Sequence, residues 1–204
     1  MIEFIVGSSL AAAAGLNAWM PLFLLGLADR FLPAVELPTG WSWLSSDLAL
    51  WIVGALLVFE IVADKIPALD SVNDLLQSII RPAAGGVAFG AGASAQTVAV
   101  DDPASFFSSG SWIPIITGIA IALVVHVVKA TARVAANATT GGLAAPVLST
   151  AEDGASFLLA AAAIIIPVLA AVLLVGLVVT AIVLLRRRAR KREVNGQAGG
   201  GVHT

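Results

Sequence analysis

Glu60 to Arg81 reads EIVADKIPALDSVNDLLQSIIR, a stretch that leaves one apolar run carrying charges and enters another the same way. Glu60 and Asp64 are four apart, so on a helix they share a face. Pro67 lacks a backbone donor and biases Ile66 away from the α region, so a helix is expected to stop near Lys65 and a second to restart at Asp70. At about 100° per residue, Asp70, Asp74, Gln77 and Arg81 fall within an arc of roughly 60°, with Leu75, Ile79 and Ile80 largely elsewhere. A polar stripe fused to a long hydrophobic sequence is costly in lipid. It should face protein or water, which makes it the first candidate for a functional surface.

The flanking sequence sets the class. Of 204 residues, 59% are hydrophobic and 12% charged, and the mean hydropathy is +0.98, far from the composition of a soluble domain. This predicts an all-α, polytopic transmembrane helical bundle of about five spans with broken or re-entrant segments. The apolar runs are 2–28, 48–63, 82–100, 112–128 and 157–185. Residues 1–185 form the expected transmembrane domain, and 186–204 a basic juxtamembrane run and a disordered cytoplasmic tail. A signal peptide carries Lys or Arg at its start; Met1 to Val6 has neither, so the first segment is read as retained. The chain has no cysteine, which excludes disulfides, thiolate chemistry and cysteine-ligated zinc or iron–sulfur sites.

Six of the eleven basic residues lie between Arg186 and Arg192, whereas residues 1–185 carry five basic and twelve acidic side chains. A basic run beside an apolar helix orients a membrane protein far more often than it binds nucleic acid, so no nucleic-acid partner is expected and the C-terminus is placed in the cytoplasm of a multi-pass cell-membrane protein. Five spans then put the N-terminus outside, Arg30 and the tail inside, and Lys65, Arg81, Lys129 and Arg133 outside.

Further breaks and stripes follow along the chain. Gly15, Asn17 and Pro21 interrupt the first apolar run and would free backbone carbonyls within the membrane, where only protein or water can satisfy them. Glu60 lies about thirteen residues into the next span, roughly 20 Å from its start. His126, Lys129, Arg133 and Asn137 share an arc of about 80°. Lys129 and Arg133 can snorkel to an interface; for His126 an interhelical hydrogen bond is favoured over metal ligation, because no second histidine lies outside the tail. Residues 137–154 combine helix breakers, hydroxyls and the acidic pair Glu152 and Asp153, which suits an exposed loop or re-entrant segment ending in a helix start. Gly86 and Gly90 form a small-xxx-small pair through which a second copy could pack as a homo-oligomer. GAGASA at 90–95 fits a dinucleotide pattern by letters only, without a preceding strand or a downstream acid.

Gly15-Leu-Asn-Ala-Trp-Met-Pro21, Ala63-Asp-Lys-Ile-Pro67 with Asp70-Ser71, Arg81-Pro82, and Ser149 to Asp153 before a long last span resemble the small bacterial membrane proteins grouped as domain of unknown function 4126. The resemblance runs over nearly the whole chain apart from the tail. It implies a membrane fold in the cell inner membrane and no established activity. The family's closing motif is expected to place asparagine before a proline where this chain has Ala145-Pro146.

Three functions remain open on these residues. Broken helices and ionisable groups at membrane depth favour transport or permeation of a small solute or ion. Lys65, Arg81, Lys129 and Arg133 could instead bind an anionic lipid headgroup, or the charges could pair internally in a structural subunit. An enzyme is not expected, since no paired-histidine metal motif or nucleophile elbow occurs; neither is a cofactor or metal. The network expected to matter joins Asn17, Glu60, Asp64, Lys65, Asp70, Asp74, Arg81, His126, Lys129, Arg133, Asn137, Glu152 and Asp153, with the spans that end in Glu60 and in Lys129 as neighbours.

Overall fold

Residues 2–93 and 112–199 are described in a computed structural model; the side chains of 67–72, 74, 184–185 and 187–199 lie outside that description. The described residues are all-α: seven α-helices and one short 3-10 turn, with no strand among them. The helices are α1 (Ile2–Leu16), α2 (Trp19–Phe31), α3 (Asp47–Ala63), α4 (Pro67–Gly92), α5 (Trp112–Thr140), α6 (Ala145–Ile165) and α7 (Pro167–Gly199), and the 3-10 turn is Ser42–Ser45.

Local chemistry sets each boundary. Ser46 Oγ accepts the Ala49 N–H, and Asp47 sits in the first turn of α3, so a hydroxyl cap and a favourable dipole contact start that helix. Ile66 is extended at φ −102° and ψ 109°, the conformation a following proline imposes, and Pro67 opens α4. The restart therefore comes at Pro67, three residues before Asp70. The helix then continues through Pro82, so the span expected to begin there is the second half of a 26-residue helix.

Gly141 and Gly142 turn the chain after α5 with φ of 61° and 89°, a region open to glycine at no steric cost. Residues 137–154 are thus the end of α5, a tight, largely exposed turn and the start of α6. Ile166, held at φ −138° and ψ 79° before Pro167, divides the long last segment into α6 and α7. The tail expected to be disordered from Val194 is helical to Gly199.

Contacts between helices fix their directions. The Ala18 N–H meets Glu60 near the end of α3, and Arg30 near the end of α2 pairs with Asp47 at the start of α3. α2 and α3 are therefore antiparallel. Ser156 Oγ donates to the Ala13 carbonyl and Asn17 Nδ2 to Asp153, so α6 runs antiparallel to α1. The same α6 runs alongside α2, with Phe157 and Ile164 beside Leu24 and Phe31. It follows that α1 and α2 are two arms of a hairpin whose turn is at Asn17 and Ala18. In place of one interrupted helix the chain forms two antiparallel ones.

Near the hairpin turn lie the end of α3, the middle of α4, the last third of α5 and the start of α6. At the opposite end lie the N-terminus, residues 32–46, the end of α4, the start of α5 and the α6–α7 junction. From there α7 climbs back beside α1 and α5.

Small residues let these helices approach. Ala11 to Ala14 on α1 are fully buried. A Cβ on Gly85 would meet the Ala122 Cβ and, at 2.8 Å, the Gly118 carbonyl, and one on Gly118 would strike the Gly85 carbonyl, so the α4–α5 crossing is close enough that only glycine fits on either side. Gly86 and Gly90, expected to receive a second copy, are covered by Ile115 and Ile119 of α5 and by Trp41 of the same chain.

Two of the helices are long and apolar enough to cross a membrane: α5, with mean hydropathy 2.2 over its most apolar stretch, and α6, with 1.4. Large apolar side chains such as Trp51, Phe59, Leu75, Ile79 and Val168 are exposed on the outside of the bundle.

Candidate functional site

At the hairpin turn the last carbonyls of α1 have run out of helical N–H donors, and α2 begins with unpaired amides. Asn17 meets part of this need: its Oδ1 accepts the N–H groups of Trp19 at 3.2 Å and Met20 at 3.0 Å, capping α2. Charged side chains from elsewhere meet the rest. The Ala18 N–H donates to the Glu60 carboxylate at 3.1 Å, and the Leu16 carbonyl accepts from Lys129 Nζ at 2.7 Å. A carboxylate thus sits at the start of one arm and an ammonium at the end of the other, the polarity that the helix dipoles favour.

Around this turn the charges form a network of six, with a second pair beside it. Arg81 donates to Glu60 through Nε at 3.2 Å and Nη2 at 2.9 Å, and reaches Asp64 at 3.4 Å. Asp64 is the hub: it also accepts from Asn73 at 2.5 Å, Arg133 at 3.2 Å and Lys129 at 3.3 Å. Arg133 and Lys129 both contact Glu152, at 2.6 and 3.2 Å. Asp153 bridges Asn17 at 3.0 Å and Lys65 at 3.1 Å. Glu60 and Arg81 are fully buried, and Asp64 and Arg133 are 1% exposed. Among the described side chains the network and the pair together contain four carboxylates and four cations. Each charge removed from solvent is therefore matched, the condition under which ionic groups persist in an interior.

His126 extends the network by a neutral tautomer. Arg81 Nη1 lies 3.2 Å from His126 Nδ1, and since a guanidinium only donates, Nδ1 must present its lone pair. The proton then resides on Nε2, which donates to Ser78 Oγ at 3.1 Å.

Most of the residues singled out in the sequence come together here. Glu60, Asp64, Arg81, His126, Lys129, Arg133 and Glu152 are linked through direct contacts, and Asn17, Lys65 and Asp153 form a second cluster beside them, joined to the first by the backbone at Asn17 and Ala18. Asp70 and Asp74 fall outside the described side chains. Asn137 stands one turn beyond Arg133, half-buried, and its buried Oδ1 has no hydrogen-bond partner among the described residues. α3 and α5 are joined through these side chains and do not pack along their lengths, because α4 carries the main contact with α5. Lys129 does not touch Glu60, as had been expected; its acidic partners are Asp64 and Glu152.

Sequence reasoning missed the backbone partners at Leu16 and Ala18, together with Asn73, Ser78 and Ser156. Asn73 is one helical turn before Gln77, and Ser156 is three residues after Asp153. Each could have been found by extending a charged stripe by one turn in either direction.

No curated protein and no solved structure matches this chain. A family model does match, over residues 4–187. The buried-charge bundle described above is therefore the architecture of a protein that belongs to the family described as domain of unknown function (DUF4126).

Proposed function

We propose that this is a polytopic membrane protein that moves a small solute or ion past the α1–α2 turn. The observation that carries the reading is the turn itself. Its backbone amide and carbonyl are bound by the side chains of Glu60 and Lys129, whose places a polar solute or ion of like charge can take. An anion exchanging with Glu60 would meet the Ala18 N–H, the α2 dipole and Arg81; a cation exchanging with Lys129 would meet the Leu16 carbonyl and Asp64.

The helix directions support a membrane arrangement for this reading. α3 to α7 make five crossings, and α1–α2 is a re-entrant hairpin that enters and leaves on the extracellular side. The C-terminus remains cytoplasmic, but the network now lies at the cytoplasmic end, since the hairpin turn and the start of the tail share that end. Ten of the eleven basic residues then lie at the cytoplasmic end, with Arg30 alone opposite beside Glu3, Asp29, Glu36 and Asp47, a stronger positive-inside bias than five simple spans provide. An impermeant thiol reagent applied to intact cells should label Thr39→Cys and spare Thr140→Cys. The reverse pattern would return Lys129 and Arg133 to the outside and refute this arrangement.

The transport test is reconstitution into liposomes with a panel of small ions and solutes. Glu60→Gln should slow the flux of the transported species by about tenfold or more, equivalent to about 1.4 kcal/mol of barrier, while the protein still reconstitutes. A second reading, a structural subunit, draws support from the four-to-four charge balance. It is favoured if no member of the panel moves and Glu60→Gln only lowers stability. Binding of an anionic headgroup is disfavoured, because Arg81, Lys129 and Arg133 are buried against carboxylates and are not open to a bilayer phosphate.

A further inference from the structure

A cavity of about 540 Å³ lies between α1, α5 and α7, open on one side, and its polar end adjoins the hairpin turn at Leu16 and Lys129. Its walls are carbon almost throughout, from Leu16, Val125, Val128, Leu177 and Ala181 among others, and its polar residues are Lys129, Glu152 and Thr180, whose hydroxyl donates to the Gly176 carbonyl. It runs along α5 from Ala120 to Ala132, roughly 18 Å at 1.5 Å per residue. A single extended hydrocarbon chain fits this space, and the volume is that of a small-ligand pocket.

The polar end selects the head. Lys129 Nζ already faces three acceptors, the Leu16 carbonyl, Asp64 and Glu152, and three donors are all an ammonium has. Glu152 is different. Its side chain is 14% exposed, and its Oε1 accepts one long hydrogen bond, 3.3 Å from Arg133 Nε, while Oε2 takes the shorter ones. A carboxylate oxygen with a vacant lone pair asks for a donor. Among the described side chains the carboxylates and cations balance, and an uncharged donor leaves that balance as it is.

We propose that this cavity is a binding site for a single-chain amphipath with a hydroxyl head, its hydrocarbon between α5 and α7 and its hydroxyl donating to Glu152 Oε1. This goes beyond the transport reading and does not depend on it.

The absence of native cysteine makes the test direct. Ala181→Cys lines the cavity, whereas Val172→Cys lies on the exposed face of the same helix. In nanodiscs, dodecan-1-ol should slow alkylation of Ala181→Cys by a permeant thiol reagent in a saturable way and leave Val172→Cys unchanged. Dodecanoate, dodecylammonium and dodecane should protect at least tenfold less well. Val128→Phe, which narrows the cavity without touching the network, should abolish protection, and Glu152→Gln should raise the half-protecting concentration about tenfold. Equal protection of both cysteines would mean partition into lipid and overturn the proposal, as would full protection in the Val128→Phe background or by dodecane. Protection by 1-dodecanoylglycerol at lower concentration than by the alcohol would support the site and identify a membrane glycerolipid as its source; the opposite order would support it with a free alcohol.

Discussion

Replacing Asp64 with asparagine is expected to destabilise the fold by about 3–5 kcal/mol, the range for removing one partner from a buried ion pair. Four donors converge on this carboxylate, three of them cationic: Arg81, Lys129 and Arg133. Asparagine keeps the shape but presents an amide that can accept on one side only, and it leaves the described network one positive charge in excess. Unfolding in detergent micelles, followed by loss of helical signal with heat or denaturant, measures the change. The informative comparison is the cycle with Lys129→Met, which removes a cation as well. If the two side chains act on one another, the double substitution should cost less than the sum of the singles by about 0.5–3 kcal/mol. A sum within a few tenths of additivity would mean that Asp64 and Lys129 do not share a network.

The second large effect is expected at the α4–α5 crossing. Gly118→Val should cost about 3 kcal/mol or more, at or above the upper end of the usual range for overpacking. The new Cβ would meet the Gly85 carbonyl and Phe89 Cβ, and a backbone oxygen inside a helix cannot swing away as a side-chain terminus can. The two helices must separate, which would pull Arg81 away from His126. Gly154 in α6 provides the control: nothing lies within 4 Å of a Cβ there. Gly154→Ala should be neutral or stabilise by up to about 1 kcal/mol through helix propensity. If Gly118→Val unfolds at the same point as the parent protein, the close approach is not real.

These two predictions also show how far the residues alone could be read. The charged side chains were found because a polar group in an apolar run is conspicuous at any register, and helical spacing was enough to place Glu60 with Asp64 and Lys129 with Arg133. Their mutual arrangement was not accessible, because no local rule states which arm of a hairpin faces which stripe. The hairpin was hidden by the shortness of its arms: fifteen and thirteen residues, added together, look like one span with a flaw. Gly15 was read as part of the break, yet its place is set by packing, since a Cβ there would lie 2.7 Å from the Ala122 carbonyl. The residue that makes the break workable is Asn17, whose amide caps α2 and holds Asp153. Gly86 and Gly90 were chosen over Gly85 and Gly118 because a four-residue spacing is visible in one segment, whereas a glycine pair split between two helices is visible only after they cross.

The hairpin turn also bears on how the protein is made. Its backbone groups wait for side chains that the ribosome supplies much later: Glu60 follows Ala18 by 42 positions, Lys129 follows Leu16 by 113, Asp153 follows Asn17 by 136, and Ser156 follows Ala13 by 143. The first segment translated is therefore among the last to be completed. Such distant pairings slow folding and leave unfinished surfaces exposed during synthesis. The two short arms should remain loosely held at the membrane until α6 has emerged, and a nascent chain arrested before Glu152 should leave residues 2–31 open to protease while α3 to α5 are already protected.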